Sequence, residues 1–439
     1  MTTPLILAFY GDDFTGSTDA LEFLARAGAR TVLFIEPPSV EQLANYPGVQ
    51  AVGVAGLTRS LTTAVLETEL RKSFAVLRAL NPEHVHYKIC STFDSSPTIG
   101  SIGRAIDVGA EVFGAKFVPL LVGAPVLGRY CVFGNLFARM GGDGEIHRLD
   151  RHPSMSRHPV TPADESDLRL YLAKQTAKRI GLFDVLKITL PETEAKTALA
   201  ALVGDGAEII LFDVLYPEQL ARIGSLIVEE AARRKPLFSV GSSGVEMALG
   251  AHWAAQGKLK PVTAWPDPGP ATPLLVASGS CSPVTIRQIS WALANGFVEV
   301  ALDPAKVADE DAIQTLATEV VSHLKKNRSV VVHTSKGGLD RRVSPAVSAQ
   351  LGTTLGRIAL KAVEQTGIRR VLIAGGDTSS HAARALGINS VEMLAPLAPG
   401  APLCKAHAPD SVVNGLEVNF KGGQVGAENY FGAVVRGKL

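Results

Sequence analysis

The sequence predicts an α/β protein of two domains, each a mostly parallel sheet flanked by helices, with the active site in the cleft between them. Three observations carry this expectation. A chain of 439 residues is too long for one compact core. Short β-rich runs alternate with longer helix-patterned stretches, the rhythm of a parallel sheet with crossover helices. That rhythm breaks in a Pro-rich stretch near residue 265 and then restarts.

The elements follow in order. "LILAFY" (Leu5–Tyr10) reads as a buried strand, and the helix after it carries Ala20, Phe23, Leu24 and Ala27 on one stripe, with Gly28 as its stop. Thr31–Ile35, Ala51–Gly56, Val85–Ile89, Phe117–Val122 and Glu208–Val214 repeat the strand signal, with helical stretches at Thr62–Ala79 and Asp164–Arg179 between them. Met140–Ser166 reads as a long loop or excursion within the first domain. "GKLKPVTAWPDPGPATP" holds five prolines and resists both helix and central strand, so residues 259–272 read as a linker between domains 1–258 and 273–439. Beyond it, Leu274–Ser278, Phe297–Leu302, Ser329–Ser335 and Arg369–Gly376 resume the β/α alternation.

Composition narrows the function. Hydrophobic residues make up 46% and charged residues 19%, ordinary for a globular enzyme, and a net charge of +1 gives no reason to expect nucleic acid as a partner. Cys90, Cys131, Cys281 and Cys404 are widely separated with no C-x-x-C pair, which points to reduced thiols rather than a zinc site or disulfide framework. The N-terminus lacks the features of a signal peptide, and no run of about 18 apolar residues exists, so a cytoplasmic protein without membrane partners is expected.

The polar turns after the strands are the candidate sites. In a parallel α/β sheet, ligands sit beyond the carboxyl ends of the strands. "GDDFTGS" places Asp12 and Asp13 at such an end, followed by Gly16, Ser17 and Thr18 opening a helix whose free N–H groups favour an anion. One short turn then offers amides for a carboxylate and Asp side chains for hydroxyls; the plain alternative is that the acids cap the helix. "GLTRS" (Gly56–Ser60) and "YKICSTFDSSPTIGSIGRA" (Tyr87–Ala105) open onto the same edge. Arg59 and Lys88 supply positive charge there, and Ser91, Thr92, Asp94, Ser95 and Ser96 supply hydroxyl and carboxylate partners. Arg151, His152, Arg157 and His158 lie on a segment that could reach over the cleft or be a solvated loop, and Ser242, Ser243 and Gly244 could donate to an oxyanion or simply cap a helix.

In the second half, "VASGSCSPVTIRQI" carries Ser278 and Ser280, "VVVHTSKGG" (Val330–Gly338) ends in a basic glycine turn, "VLIAGGDTSS" carries Gly375, Gly376, Asp377 and Thr378, and "NFKGGQVG" carries Gly422 and Gly423. Glycine lets backbone N–H groups approach phosphate without a Cβ clash. Neither G-x-x-x-x-G-K-[ST] nor G-x-G-x-x-G occurs, so a phosphate site here is of neither common type. Asp377 could accept a proton from an attacking hydroxyl or organise magnesium-bound water, and Asp12 or Asp13 competes for the base role.

"GDDFTGSTDA", "KICSTFDSS", "GSSG", "SGSCSPVTIRQI", "AGGDTS" and "FKGG", in this order over nearly the whole chain, resemble the four-carbon acid sugar kinase family. The resemblance implies an N-terminal acid-binding domain, a C-terminal nucleotide-binding domain, and phosphorylation by ATP and Mg2+ of the terminal hydroxyl of a tetronate or 3-oxo-tetronate. It places Asp12, Asp13, Arg59, Lys88 and the Ser91–Ser96 segment on the acid, and Ser278, Ser280, the Gly375–Thr378 turn and Gly422–Gly423 on the nucleotide. Some members carry alanine where Gly11 stands and glutamate where Asp377 stands. The expected partners are thus a small sugar acid and ATP, with a second copy of the chain as a candidate dimer partner. Two rival readings remain: a non-catalytic sensor of sugar acids, and a phosphatase. The latter lacks the two aspartates one residue apart that haloacid-dehalogenase enzymes use, since Phe14 and Thr15 stand at those positions.

Overall fold

A computed structural model describes residues 4–140, 144–158, 160–233, 235–334 and 345–438. The chain forms two compact units. The first comprises residues 1–12, 23–32 and 37–263; the second comprises 13–22, 33–36 and 264–439. The helix Phe14–Arg26 and the strand Thr31–Phe34 are thus each divided, with Phe14–Glu22 and Leu33–Phe34 grouping with the C-terminal residues.

Within the first unit, parallel strands run in the order Ala51–Ala55, Leu7–Gly11, His84–Lys88, Leu237–Gly241, Val118–Leu121, Ile209–Phe212 and Ile180–Phe183. All but Ile180–Phe183 are buried along their whole length, which is why they read as continuous apolar runs rather than alternating ones. The core packs Tyr10, Phe74, Tyr87, Phe113 and Phe238 edge-on, tilted or stacked, with ring centroids 5.3–6.2 Å apart. Gly11, Lys88, Gly241 and Leu121 stand level at the carboxyl edge.

Within the second unit the order is Val298–Ala301, Val330–His333, Leu275–Ser278, Arg370–Ala374 and Glu417–Lys421, all parallel, then Ala401–His407 and Ser390–Ala398 antiparallel, with Leu33–Phe34 pairing to Ser390–Val391. Here His333, Ser278, Ala374 and Lys421 stand level. Val276, Val331, Leu372, Leu403 and Phe431 belong to one buried cluster. No regular helix or strand forms across residues 257–273, in keeping with their prolines.

Two sequence expectations need correction, and one pair of strands was missed. The helix expected over Asp164–Arg179 shrinks to Leu168–Leu172, because Gln175 leaves the helical path to accept from the Gly103 N–H and donate to Ser95, and Ile180–Phe183 forms an edge strand. The loop expected over Met140–Ser166 instead contains the strand Ile146–Arg148, which closes a three-stranded antiparallel sheet with Arg129–Val132 and Asn135–Arg139, and two 3₁₀ turns. His152 Nδ1 accepts the Ser154 and Met155 N–H groups and His158 Nδ1 accepts the Thr161 N–H, so both rings serve local structure. The antiparallel pair Ser390–Ala398 and Ala401–His407 escaped notice because Pro396 and Pro402 interrupt it; register shifts between Met393 and Ala398 accommodate the missing donors.

Candidate active site

In the first unit the carboxyl edge is tied together by its main chain. The Asp12 N–H donates to Lys88 O, Gly56 N–H to Gly11 O, Arg59 N–H to Asp12 O, Ile89 N–H to Gly241 O and Ser242 N–H to Leu121 O, all at 2.8–3.0 Å. Gly56 has to be glycine, since a Cβ there would lie 2.3 Å from the Tyr10 ring and 2.4 Å from Gly11 O. Gly100, at φ +59, likewise brings the Tyr87–Ala105 segment onto the Arg59 carbonyl. These close approaches bring the first three predicted turns to one place.

There Arg59 grips Asp12 with a two-pronged pair, Nη2–Oδ1 2.7 Å and Nε–Oδ2 3.1 Å. The Asp12 side chain is 3% exposed and that of Arg59 24%, so the carboxylate lies beneath while the guanidinium reaches the surface. Beside it Tyr87 and Thr58 share a hydrogen bond at 2.9 Å that fixes the short 3₁₀ turn carrying Arg59.

Lys88 is buried, its Nζ donating to Ile89 O at 3.0 Å. His84, His86 and Lys88 alternate along one strand and therefore share a face. Ser239 sits between the two histidines, 2.6 Å from His84 Nε2 and 3.1 Å from His86 Nδ1, and Glu246 lies 3.4 Å from His86. Burial pulls the His84 pKa down to about 3 and that of His86 well below its usual range, the latter aided by the charge on Lys88. Both rings stay neutral under the lysine.

The Ser91–Ser96 segment is split. Thr92 donates to Asp94 at 2.9 Å, and Ser91, Thr92 and Asp94 are half-buried at the edge. Ser95 is turned fully inside, its hydroxyl donating to Phe93 O and accepting from Gln175, while its carbonyl accepts from Tyr171. The Ser242 hydroxyl bonds Val122 O and the Gly244 N–H, as a helix cap does.

The second unit gathers another set. Gly279 N–H donates to Ala374 O and Gly375 N–H to Lys421 O, so the turns after three neighbouring strands are stitched in register. Gly375 holds φ +120, and a Cβ there would meet Thr378 Oγ1 at 2.8 Å; one on Gly279 would meet it at 2.3 Å. A Cβ on Gly423 would stand 2.9 Å from Ser280 Oγ. Ser278, Ser280, Gly375, Thr378 and Gly423 are thereby brought together. The Ser278 hydroxyl is buried with no hydrogen-bond partner among the described residues, a group awaiting one. Asp377 is exposed in the first turn of the helix Gly376–Ala385. In the "VVVHTSKGG" stretch, Ser335–Gly338 lie outside the described residues.

Asp13 belongs to this second unit. It caps the helix Phe14–Arg26, Oδ1 accepting from Gly16 N–H at 2.7 Å and Oδ2 from Thr15 Oγ1 at 2.9 Å. The same Oδ2 lies 3.3 Å from where a Cβ on Gly376 would stand, so the carboxylate borders the Gly375–Thr378 turn. Adjacent in sequence, Asp12 and Asp13 thus have different settings: one ion-paired to Arg59, the other beside a glycine turn.

The sequence reading passed over Lys421, Thr285 and Ser282. Lys421 is fully buried and donates to Thr285 Oγ1 at 3.0 Å; Thr285 and Ser282 both donate to Gly423 O. A lysine closing the strand "EVNFK" directly before a glycine pair was the available signal.

Among the described residues no group of three or more His, Cys, Asp or Glu side chains is gathered as for a metal ion. No helix among them is long and apolar enough to cross a membrane.

Known proteins match both halves. A sugar-binding N-terminal domain family matches residues 7–249, and a nucleotide-binding C-terminal domain family matches residues 275–431. The chain is 43% identical to a 3-oxo-isoapionate kinase of Paraburkholderia graminis, over 99% of this chain and 95% of that protein. It is 29% identical to a 3-oxo-tetronate kinase of Pseudomonas fluorescens, over 97% and 95% respectively. Its fold matches the crystal structure of a Salmonella typhimurium protein at a TM-score of 0.76 and 24% identity, covering 98% of this chain and 99% of that one. With the acid-lined turns of one unit and the glycine turns of the other each falling inside its own matched domain, the chain belongs to the four-carbon acid sugar kinase family.

Proposed function

We propose that this protein is an ATP-dependent kinase that phosphorylates a terminal hydroxyl of a small sugar acid, of the kind represented by 3-oxo-tetronate and 3-oxo-isoapionate. The observation that carries the reading is the convergence of the Ser278–Ser280, Gly375–Thr378 and Gly422–Gly423 turns around a buried serine hydroxyl without a partner. Backbone N–H groups freed of Cβ atoms suit a polyphosphate. A sensor of sugar acids alone has no use for them.

Arg59 serves the acid carboxylate, held in place by Asp12, while Lys88 supplies charge from below and Ser91, Thr92 and Asp94 take hydroxyl groups. Ser95 supports that segment from inside. Phosphoryl transfer asks the protein chiefly for in-line positioning and neutralisation of charge. Asp13 is the better-placed base for the acceptor hydroxyl: the Thr15 hydroxyl and the Gly16 N–H orient its carboxylate, which borders the Gly375–Thr378 turn. Asp377, exposed in the first turn of the helix Gly376–Ala385, suits a magnesium ion that would keep waters and phosphate oxygens as its other ligands. Bound there, magnesium would offset charge on the phosphates.

The test is a coupled ADP-release screen over 3-oxo-isoapionate, 3-oxo-tetronate, threonate and erythronate. Turnover dependent on one of these acids is expected. ATP binding with no acid-dependent ADP release from any of them would refute the kinase reading and favour a sensor; phosphate release from a phosphorylated acid without nucleotide would favour a phosphatase.

A further inference from the structure

Lys421 touches several parts of the glycine-turn cluster. Its main-chain carbonyl accepts the Gly375 N–H at 2.9 Å. Its Nζ donates to Thr285 Oγ1 at 3.0 Å, and Thr285 Oγ1 donates on to Gly423 O at 3.0 Å. Ser282 Oγ donates to the same carbonyl while capping the helix Pro283–Ala294. One lysine therefore links the turn after Ala374, the turn that follows it directly, and the helix after Ser278.

Burying an ammonium is costly unless a counter-charge meets it. Lys421 is fully buried, and among the described residues no carboxylate pairs with it. Burial alone brings its pKa down to about 7. Pure architecture would be served as well by a methionine of similar length. What a lysine adds is positive charge directly under a turn of bare amides, and the species complementary to that is a polyanion.

We propose that Lys421 is a positioning residue for the nucleotide's polyphosphate, acting through Thr285 and the Gly423 carbonyl rather than by contact. In a trans peptide the C=O and the following N–H point in opposite directions. Holding the Gly423 carbonyl against Ser282 and Thr285 therefore turns the Gln424 N–H away from them, as a donor for a phosphate oxygen. The charge of Lys421 lies behind that donor and strengthens it in a medium of low dielectric. The proposal rests on the kinase reading and adds a residue to it.

The experiment is calorimetric titration of the full-length protein with MgATP and with adenosine. Wild type, Lys421→Met, Lys421→Arg and Thr285→Val are compared. Lys421→Met is expected to weaken MgATP by about tenfold or more, equivalent to about 1.4 kcal/mol. Adenosine, which carries no phosphate, should change by less than about twofold. Lys421→Arg should recover part of the loss, and Thr285→Val, which keeps the charge but cuts the link, should show a smaller loss confined to MgATP. An unchanged ratio of MgATP to adenosine affinity in Lys421→Met overturns the proposal and leaves the kinase reading intact. Should that variant not fold, an unchanged ratio in Thr285→Val does the same. Wild-type protein that binds neither ligand overturns the nucleotide reading itself.

Discussion

Replacing Lys421 by methionine should stabilise the second unit, by an amount that depends on pH. The burial of Lys421 lowers its pKa from 10.5 to about 7. Below pH 7 the group is charged in both folded and unfolded chains, and the folded state bears the full penalty. That penalty is the gap between 10.5 and about 7, which at about 1.4 kcal/mol per pH unit comes to roughly 5 kcal/mol. Between pH 7 and 10.5 the unfolded chain binds a proton that the folded chain does not, so wild-type stability rises with pH. Above 10.5 the lysine is neutral in both states and the penalty is gone. Methionine removes the titration but also the bond to Thr285, worth about 1 kcal/mol. The variant should therefore be more stable by roughly 4 kcal/mol at pH 7. The advantage should shrink steadily and become a deficit of about 1 kcal/mol near pH 10.5. Urea unfolding without nucleotide, at several pH values from 7 to 9.5 and followed by tryptophan fluorescence, reads this difference; Trp291 reports from the second unit. A difference that stays flat across that range would show that the lysine is not desolvated as described. A gain in stability bought at the expense of nucleotide affinity is the pattern expected of a functional residue.

Three further outcomes follow from the same geometry. Arg59→Ala removes the two-pronged pair from the nearly buried Asp12 carboxylate, so KM for the sugar acid should rise by about tenfold or more and stability should fall by about 3 kcal/mol, while KM for ATP stays put; steady-state kinetics and urea unfolding check both. Asp13→Asn keeps an oxygen for the Gly16 N–H and loses the base, so kcat/KM for the acid should drop by about a hundredfold with MgATP affinity within about twofold, and an unchanged acid parameter would remove Asp13 from the chemistry. Gly376→Ala sets a methyl 3.3 Å from Asp13 Oδ2 and 3.5 Å from Thr15 Oγ1, so kcat should fall with little change in Tm; a wild-type kcat would show that Asp13 need not sit where it does.

Much of the candidate site could be located in the sequence because its turns are short and each follows an apolar run. Strand ends in a parallel sheet are where ligands go, and Asp12, Arg59 and Lys88 could be placed at one edge from that rule alone. What the local pattern could not show is which side chains are already engaged. Asp12 and Arg59 are 47 residues apart, and their pairing depends on the approach that Gly56 permits. Ser95 looks like its neighbours in the string of hydroxyl residues, but Gln175, 80 residues on, turns it inward. Nothing local marks Lys421 as buried; its ammonium group meets Thr285 on the helix Pro283–Ala294, 136 residues away.

By itself the sequence determined the two-part α/β plan, the position along the chain of many strands, and the polar and glycine-rich turns at their ends, because apolar periodicity and turn composition are local properties of the chain. Only the tertiary structure decided that Asp13 groups with the C-terminal residues while Asp12 does not, that strands interrupted by proline still pair, and that a lysine lies beneath the Gly422–Gly423 turn. Those outcomes depend on contacts between residues far apart in the chain, whose energies come from burial and close approach rather than from the identity of sequence neighbours.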